Sequence, residues 1–224
     1  MPLVLPAGCP LTPRGPGRGH PPIPAPRPPQ VCKYIDIPLQ HISNLTLLSM
    51  NRPPRAHTET LLRKLRERIP GLVLRTTFIS GFPGESEDAH RELVDFVKDL
   101  RFERMGAFAY SQEDGTPAAD LPEQLDEETK EYRRDELVSL AQELSIEFAE
   151  SLVGREIDVL VEGVSEEDGV MVGRTEWDAP DIDPYVMLTE PAEGSGLAPL
   201  EAGQMRRVKV VGTSVMDLVA EVIE

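Results

Sequence analysis

Cysteine is nearly absent from these 224 residues; there are two, Cys9 and Cys32, lying 23 positions apart. So few thiols exclude a disulfide scaffold and fit a reducing compartment. No apolar run approaches the roughly 18 residues a transmembrane helix needs, and the opening Met1-Pro2-Leu3-Val4-Leu5-Pro6 is too short and too proline-broken for the core of a signal peptide. A cytoplasmic protein without a membrane partner is the expectation. Basic residues are also scarce: 23 Lys and Arg face 39 Asp and Glu, for a net charge of −16. Phosphate backbones are gripped by Lys and Arg, so a chain this acidic is a poor general binder of nucleic acid. It suits a basic partner, whose encounter the charge would steer.

The first thirty residues lack acids altogether and hold 11 of the 22 prolines, four glycines and three arginines. Such a segment supports neither helix nor inner strand. It reads as a disordered leader or as sequence foreign to the folded protein. The abrupt change at Val31 favours the second reading, a truncated or mis-started gene product. A cleaved transit peptide fits less well, because those are rich in Ser rather than Pro.

From Tyr34 onward, strand and helix signals alternate. Residues 34–39 read as a short strand ending at Pro38, and residues 43–50 as a short helix capped by Ser43 and broken by Arg52-Pro53-Pro54. Thr58 is placed to cap a helix carrying Leu61, Leu62, Leu65 and Ile69 on one face. Residues 72–79 are β-rich and apolar enough for a buried parallel strand. A helix capped by Ser86 follows, with Ala89, Leu93, Val97 and Leu100 at helical spacing, and then a strand at about 104–110. This alternation predicts βαβ units and a parallel sheet. Three strands are too few for a closed barrel or a well-covered sheet, so this half reads as incomplete. A fourth helix spans about 126–153 with an apolar face of Leu137, Leu140, Ala141, Leu144, Phe148 and Leu152, and Gly154 suits its end. Thereafter the period becomes two, and strands near 155–162, 169–174, 184–189, 205–211 and 215–223 suggest a small antiparallel barrel of the OB-like kind. The organisation is thus a leader (1–30), an α/β part (31–153) and a β-barrel (154–224).

Three phrases lie directly after strands, where α/β folds bind ligands. They are Pro38-Leu39-Gln40-His41, Arg75-Thr76-Thr77 running into Gly81-Phe82-Pro83-Gly84-Glu85, and Tyr110-Ser111-Gln112-Glu113-Asp114-Gly115-Thr116-Pro117. Taken singly, each is also what an ordinary polar loop would look like; Gln40 and His41 could simply cap nearby backbone, and many turns read Gly-x-x-Gly. Glycine there leaves bare backbone for a ligand to lie against. His57 and His90 read as solvent-facing helix residues, and Trp177 as barrel packing in preference to a partner contact.

Together, at this spacing, the three phrases resemble the radical-SAM methylthiotransferase family, over roughly Tyr34 to the C-terminus. Pro-Leu-Gln-His, and Gly173-Arg174-Thr175 followed by Asp178-Ala179-Pro180-Asp181-Ile182-Asp183, point within it to the branch acting on a ribosomal protein. The resemblance implies the C-terminal part of a radical-SAM partial (β/α) barrel followed by a TRAM β-barrel. It also implies S-adenosyl-L-methionine and two [4Fe–4S] clusters as cofactors of the full enzyme, and methylthiolation of an aspartate of small-subunit ribosomal protein twelve. By the same resemblance Gln40, Arg75, Thr77 and Glu85 are assigned to one wall of the SAM pocket, and Arg174, Trp177, Asp178, Asp181 and Asp183 to substrate binding. No catalytic residue is assigned.

The barrel's own charge bears on the branch. From Gly154 to Glu224, five basic against sixteen acidic residues leave −11, the wrong sign for gripping tRNA and the right one for a basic ribosomal protein or ribosome. A merely soluble acidic surface would carry the same charge. Against the family stands the cysteine count. A radical-SAM cluster needs three thiolates in Cys-x-x-x-Cys-x-x-Cys, and two cysteines so far apart supply none of that pattern, so no metal ligand is assigned. The expectation is a truncated, catalytically incomplete methylthiotransferase; the rivals are a tRNA adenosine methylthiotransferase and a non-catalytic substrate-binding fragment.

Overall fold

A computed structural model describes residues 31–166, 169–191 and 195–224; the reading of residues 1–30 lies outside them. Residues Cys32–Glu224 form one compact unit. No helix among the described residues is long and apolar enough to cross a membrane.

Three strands, β1 (Tyr34–Asp36), β2 (Val73–Ser80) and β3 (Arg104–Ala109), pair in parallel in the order β1-β2-β3. Along β2 the even residues Leu74, Thr76, Phe78 and Ser80 are fully buried, whereas Arg75, Thr77 and Ile79 are half-buried. That period-two split puts the helices against one face and leaves the other open to ligand or partner. Helices α1 (Asn44–Ser49) and α2 (Arg55–Arg68) connect β1 to β2, and α3 (Glu87–Leu100) connects β2 to β3. Behind β2, Phe78 and Phe96 each pack on Phe102, with ring centroids 5.9 and 6.0 Å apart.

Helix α3 starts where the sequence places it, because the Ser86 hydroxyl accepts from Ala89 N–H at 3.1 Å. Helix α2 does not. It begins at Arg55 with Pro54 in the cap position, ahead of Thr58, and Asn44 Oδ1 of the preceding helix accepts the Arg55 N–H at 2.9 Å. A cap supplied across a turn carries no signal at Thr58. Ser43 does precede α1, but its side chain makes no capping bond; its N–H donates to His41 Nδ1 at 3.0 Å.

Helix α4 (Glu127–Ser151) is capped by Asp126, which accepts from Thr129 N–H at 2.8 Å. It serves two cores: Leu137, Leu140 and Leu144 belong to the α/β core, while Ala149 and Leu152 belong to the barrel core. Gly154, at φ +84°, turns the chain into the barrel and donates to Val210 O at 2.8 Å. Strands β4 (Glu156–Val164), β5 (Met171–Arg174), β6 (Val186–Thr189), β7 (Met205–Ser214) and β8 (Asp217–Val222) close in the order β4-β5-β6-β8-β7. Four of the pairings are antiparallel and β6–β8 is parallel. Alternate residues such as Val159, Val161, Val208, Val210 and Ala220 fill the interior.

Candidate functional site: a cavity at the strand ends

The open face of the sheet divides into two zones. Toward the N-terminal ends of the strands it is covered by the barrel segment that follows β5. Arg104 of β3 donates from Nε and Nη2 to Asp178 Oδ1 at 3.1 and 2.6 Å, and from Nη1 to Ser145 Oγ of α4 at 3.1 Å. Tyr34 of β1 donates its hydroxyl to Asp183 Oδ2 at 2.9 Å, and Arg75 Nε lies 3.4 Å from Asp183 Oδ1. Burial beside the Asp183 carboxylate pushes the Tyr34 hydroxyl above its ordinary range, since phenolate there would meet a like charge.

At the C-terminal ends the face is open. A cavity of about 380 Å³ is lined by Gln40, Thr77, Ile79, Phe108, Ala109, Tyr110, Ser111, Glu113, Thr116 and Ala118. That volume lies in the range of small-molecule sites. Gln40 adopts φ +73° and joins the edge of β2: its N–H donates to Thr77 O at 2.9 Å, and its carbonyl accepts from Ile79 N–H at 2.8 Å. Phe108 stands at the rim, 62% exposed. The wall combines apolar side chains with a few amide, hydroxyl and carboxylate groups, the composition expected of a pocket that orients a small ligand.

Behind this wall sits a buried polar cluster. Glu85 folds back over its own turn, and its Oε2 accepts from Gly81 N–H at 2.6 Å and Phe82 N–H at 3.3 Å. Arg133 of α4 donates from Nη1 to Glu85 O at 2.9 Å and to Oε1 at 3.1 Å. His41 Nε2 lies 3.6 Å from Glu85 Oε2, and His90 Nδ1 lies 3.6 Å from Oε1. His90 Nε2 reaches Glu136 Oε2 at 2.8 Å. Burial alone would raise the Glu85 carboxyl; the histidine contacts and the Arg133 charge outweigh it and hold the group at about 2. For His90 burial works downward, but Glu85 and Glu136 win and raise the imidazole above 6.5.

The structure therefore sorts the residues singled out in the sequence. Gln40 and Thr77 meet on the cavity wall. Arg75 shares their face of the sheet but spends its guanidinium on Asp36 Oδ2, at 3.0 Å, and on Asp183. Glu85 is corrected from wall to buried support, with a side chain 0% exposed. His41, expected in the crevice, is fully buried, and His90, expected in solvent, is 2% exposed. Alternate faces of a short segment cannot be told apart until the neighbouring helices are placed. His57 is exposed as expected.

In the barrel, Arg174 pairs with Glu162 at 2.6 Å and Asp181 is exposed. Asp178 and Asp183 are instead turned inward, where their carboxylates bind Arg104, Thr175, Tyr34 and Arg75; neither is open to a substrate there. Trp177 packs edge-on against Phe148 of α4, centroids 6.0 Å apart. Sequence reasoning passed over Phe108, Arg104 and Arg133. Only the first carries a signal, an aromatic just before the polar loop at Tyr110; the two arginines look like any solvated charge.

The TRAM domain family model matches residues 153–223, the barrel and the turn into it. Over 86–88% of its length the sequence is similar to proteins named ribosomal protein uS12 methylthiotransferase RimO. Identity is 41% over 198 residues with that of Desulforamulus reducens, covering 88% of this chain and 43% of the relative. It is 45% over 196 residues with that of Pelotomaculum thermopropionicum, covering 87% and 43%. With that of Akkermansia muciniphila it is 43% over 194 residues, covering 86% and 40%. The chain thus spans less than half the length of these curated relatives.

Proposed function

We infer that this chain is a methylthiotransferase sequence of the RimO kind, and propose that it supplies one wall of an S-adenosyl-L-methionine site together with an acidic module for recognising ribosomal protein uS12. The observation that carries the reading is similarity at 41–45% identity over 196–198 residues, far more than the barrel alone contains. The cavity supports the ligand: an apolar floor from Ile79 and Ala109, with Phe108 at the rim, suits an adenine ring, and the Gln40, Thr77 and Glu113 side chains suit ribose and amino-acid groups. The barrel's −11 charge supports a basic partner. Of the barrel residues assigned to the substrate, Arg174 and Asp181 are the ones on the outer surface, and they are the proposed contacts.

The clusters do not fit on this chain. Three thiolates are required and the sequence has two cysteines, of which Cys32 is exposed and Cys9 lies outside the described residues. Among the described residues no group of three His, Cys, Asp or Glu is arranged to hold a metal ion. The proposal therefore concerns binding and recognition in the cytoplasm, with no chemical step routed through a cluster.

Titration calorimetry of the full chain with isolated uS12 and with unmodified tRNA tests the reading. The expected result is saturable binding of uS12 that weakens as salt rises, as screening of opposite charges requires, and no measurable tRNA binding. Tighter binding of tRNA would move the assignment to the tRNA adenosine branch. Binding of neither would overturn the recognition role.

A further inference from the structure

Four groups reach from the protein surface to the back of the cavity wall in one file: Glu136, His90, Glu85 and His41. Glu136 has a side chain 44% exposed, whereas those of His90, Glu85 and His41 are 3%, 0% and 0% exposed. Nothing in the proposed recognition uses them, yet each buried member touches a different element. Glu85 belongs to the turn after β2, His41 to the turn after β1, His90 to α3, and Arg133 and Glu136 to α4.

The turns they hold are those that shape the cavity. Gly81 and Gly84 adopt φ of +76° and +78°, which presents the Gly81 and Phe82 N–H groups to one point. A protein's own carboxylate at such a nest replaces the anion or water it would otherwise bind. Phe82 packs on cavity-lining Tyr110 with centroids 5.3 Å apart, and Tyr110 N–H donates to Ser80 O at 2.8 Å. On the other side, His41 Nδ1 accepts the Ser43 N–H, so its proton is on Nε2, the atom that faces Glu85. His41 directly follows Gln40, whose backbone is laced to Thr77 and Ile79.

We propose that Glu85 is the positioning residue of the cavity: its carboxylate holds the Gly81–Phe82 turn and, through His41, the Gln40 turn in the arrangement that forms the wall, with His90 and Glu136 linking that hold to the surface. The other charged groups around it are Arg133, which also reaches Glu87 Oε2 at 3.3 Å, and Lys130, which packs under Gly81 and pairs with Glu127 at 2.6 Å. His90 lies between the two carboxylates of the file, Glu85 and Glu136, which favour its protonated form. Protonated, it places a positive charge between the two carboxylates, bonded to Glu136 at 2.8 Å and facing Glu85 Oε1 across 3.6 Å; neutral, it withdraws that charge from both.

The inference stands on the protein's own geometry and touches the cavity's proposed ligand only in a second measurement. Amide hydrogen exchange on the full chain, read by NMR, is the first. Glu85→Gln is expected to speed exchange at Gly81 and Phe82 at least tenfold while barrel amides such as Val159 and Val208 hold their rates. In the wild type, the Gly81 amide shift is expected to titrate with the His90 ring, and His90→Gln to flatten it. Unchanged exchange at Gly81 and Phe82, or equal acceleration everywhere, overturns the proposal; so does a Gly81 titration that survives His90→Gln. Should Glu85→Gln fail to fold, the His90→Gln titration decides alone. Calorimetry with S-adenosyl-L-homocysteine is the second measurement, with affinity expected to fall at least fivefold in Glu85→Gln. A wild type that responds in its amides but binds no S-adenosyl-L-homocysteine refutes the ligand reading and leaves Glu85's positioning role standing.

Discussion

Arg104 on the edge strand of the parallel sheet and Asp178 in the barrel form a buried ion pair, Nη2 to Oδ1 2.6 Å, with side chains 7% and 4% exposed. The guanidinium also donates to Ser145 and lies over the Phe148 ring, 5.2 Å from its centroid. One side chain therefore ties sheet, helix α4 and barrel. Removing either charge strands the other in a dry site, which costs about 3–5 kcal/mol. Arg104→Met and Asp178→Leu are each expected to lose stability on that scale in urea unfolding, and the double substitution to lose less than either alone. Additive losses would show that the pair is not coupled.

Gly81 has two reasons to be glycine. Its φ is +76°, and a Cβ there would lie 2.4 Å from Lys130 Cγ and 2.9 Å from Lys130 Cβ. Gly115 has a similar φ of +79° with nothing within 4 Å. Gly115→Ala should therefore cost only the backbone strain, about 1 kcal/mol. Gly81→Ala should cost at least about 2 kcal/mol, because the clash with α4 adds to the strain. Equal losses in thermal unfolding would mean that α4 yields to the methyl group.

Stability should depend on pH from both sides of the Glu85 cluster. The Glu85 carboxyl sits at about 2 when folded against 4.5 otherwise, so its contribution is full above 4.5 and is lost as pH falls toward 2. The His90 imidazole is raised above 6.5, so its contribution is full below 6.5 and fades as pH rises through the raised value. The urea midpoint should then be highest between about 4.5 and 6.5 as far as these two groups decide it. In His90→Gln the alkaline limb attributable to this residue should flatten; an unchanged limb would assign it elsewhere.

Trp177 is the chain's one tryptophan and reports on the seam. Its edge-to-face contact with Phe148 is worth about 1 kcal/mol beyond the area it buries. Phe148→Ala is expected to shift native fluorescence to the red and lower the thermal midpoint. A red shift without destabilisation would mean that the ring contact contributes no stability.

Much of this was legible in the residues. The switch from a helical period to a period of two after Val153 marks the barrel, and the apolar positions Ala89, Leu93, Val97 and Leu100 of α3 are all buried, with Val94, Phe96 and His90 beside them. Gln40 is placed by its position after a strand and Thr77 by the family resemblance, and both line the cavity. What misled was local ambiguity. His41 is next to Gln40, yet one lines the cavity and the other is buried behind it, since adjacent residues leaving a strand point to opposite sides. His90 sits on a helix whose polar residues are mostly solvated, and Arg133 on one whose charges look uniform.

Composition, periodicity and strand-end motifs by themselves determined the two kinds of architecture, the barrel's acidity and the shortage of thiolates, because each depends on residue type and near-neighbour spacing alone. Only the tertiary structure decided which charges are available to a partner. Asp178 and Asp183 read as surface acids until residues more than seventy positions away bring Arg104, Tyr34 and Arg75 against them. Glu85 likewise moves from the wall to its support, because α3 and α4 close over it and a carboxylate out of water must find its donors within the fold.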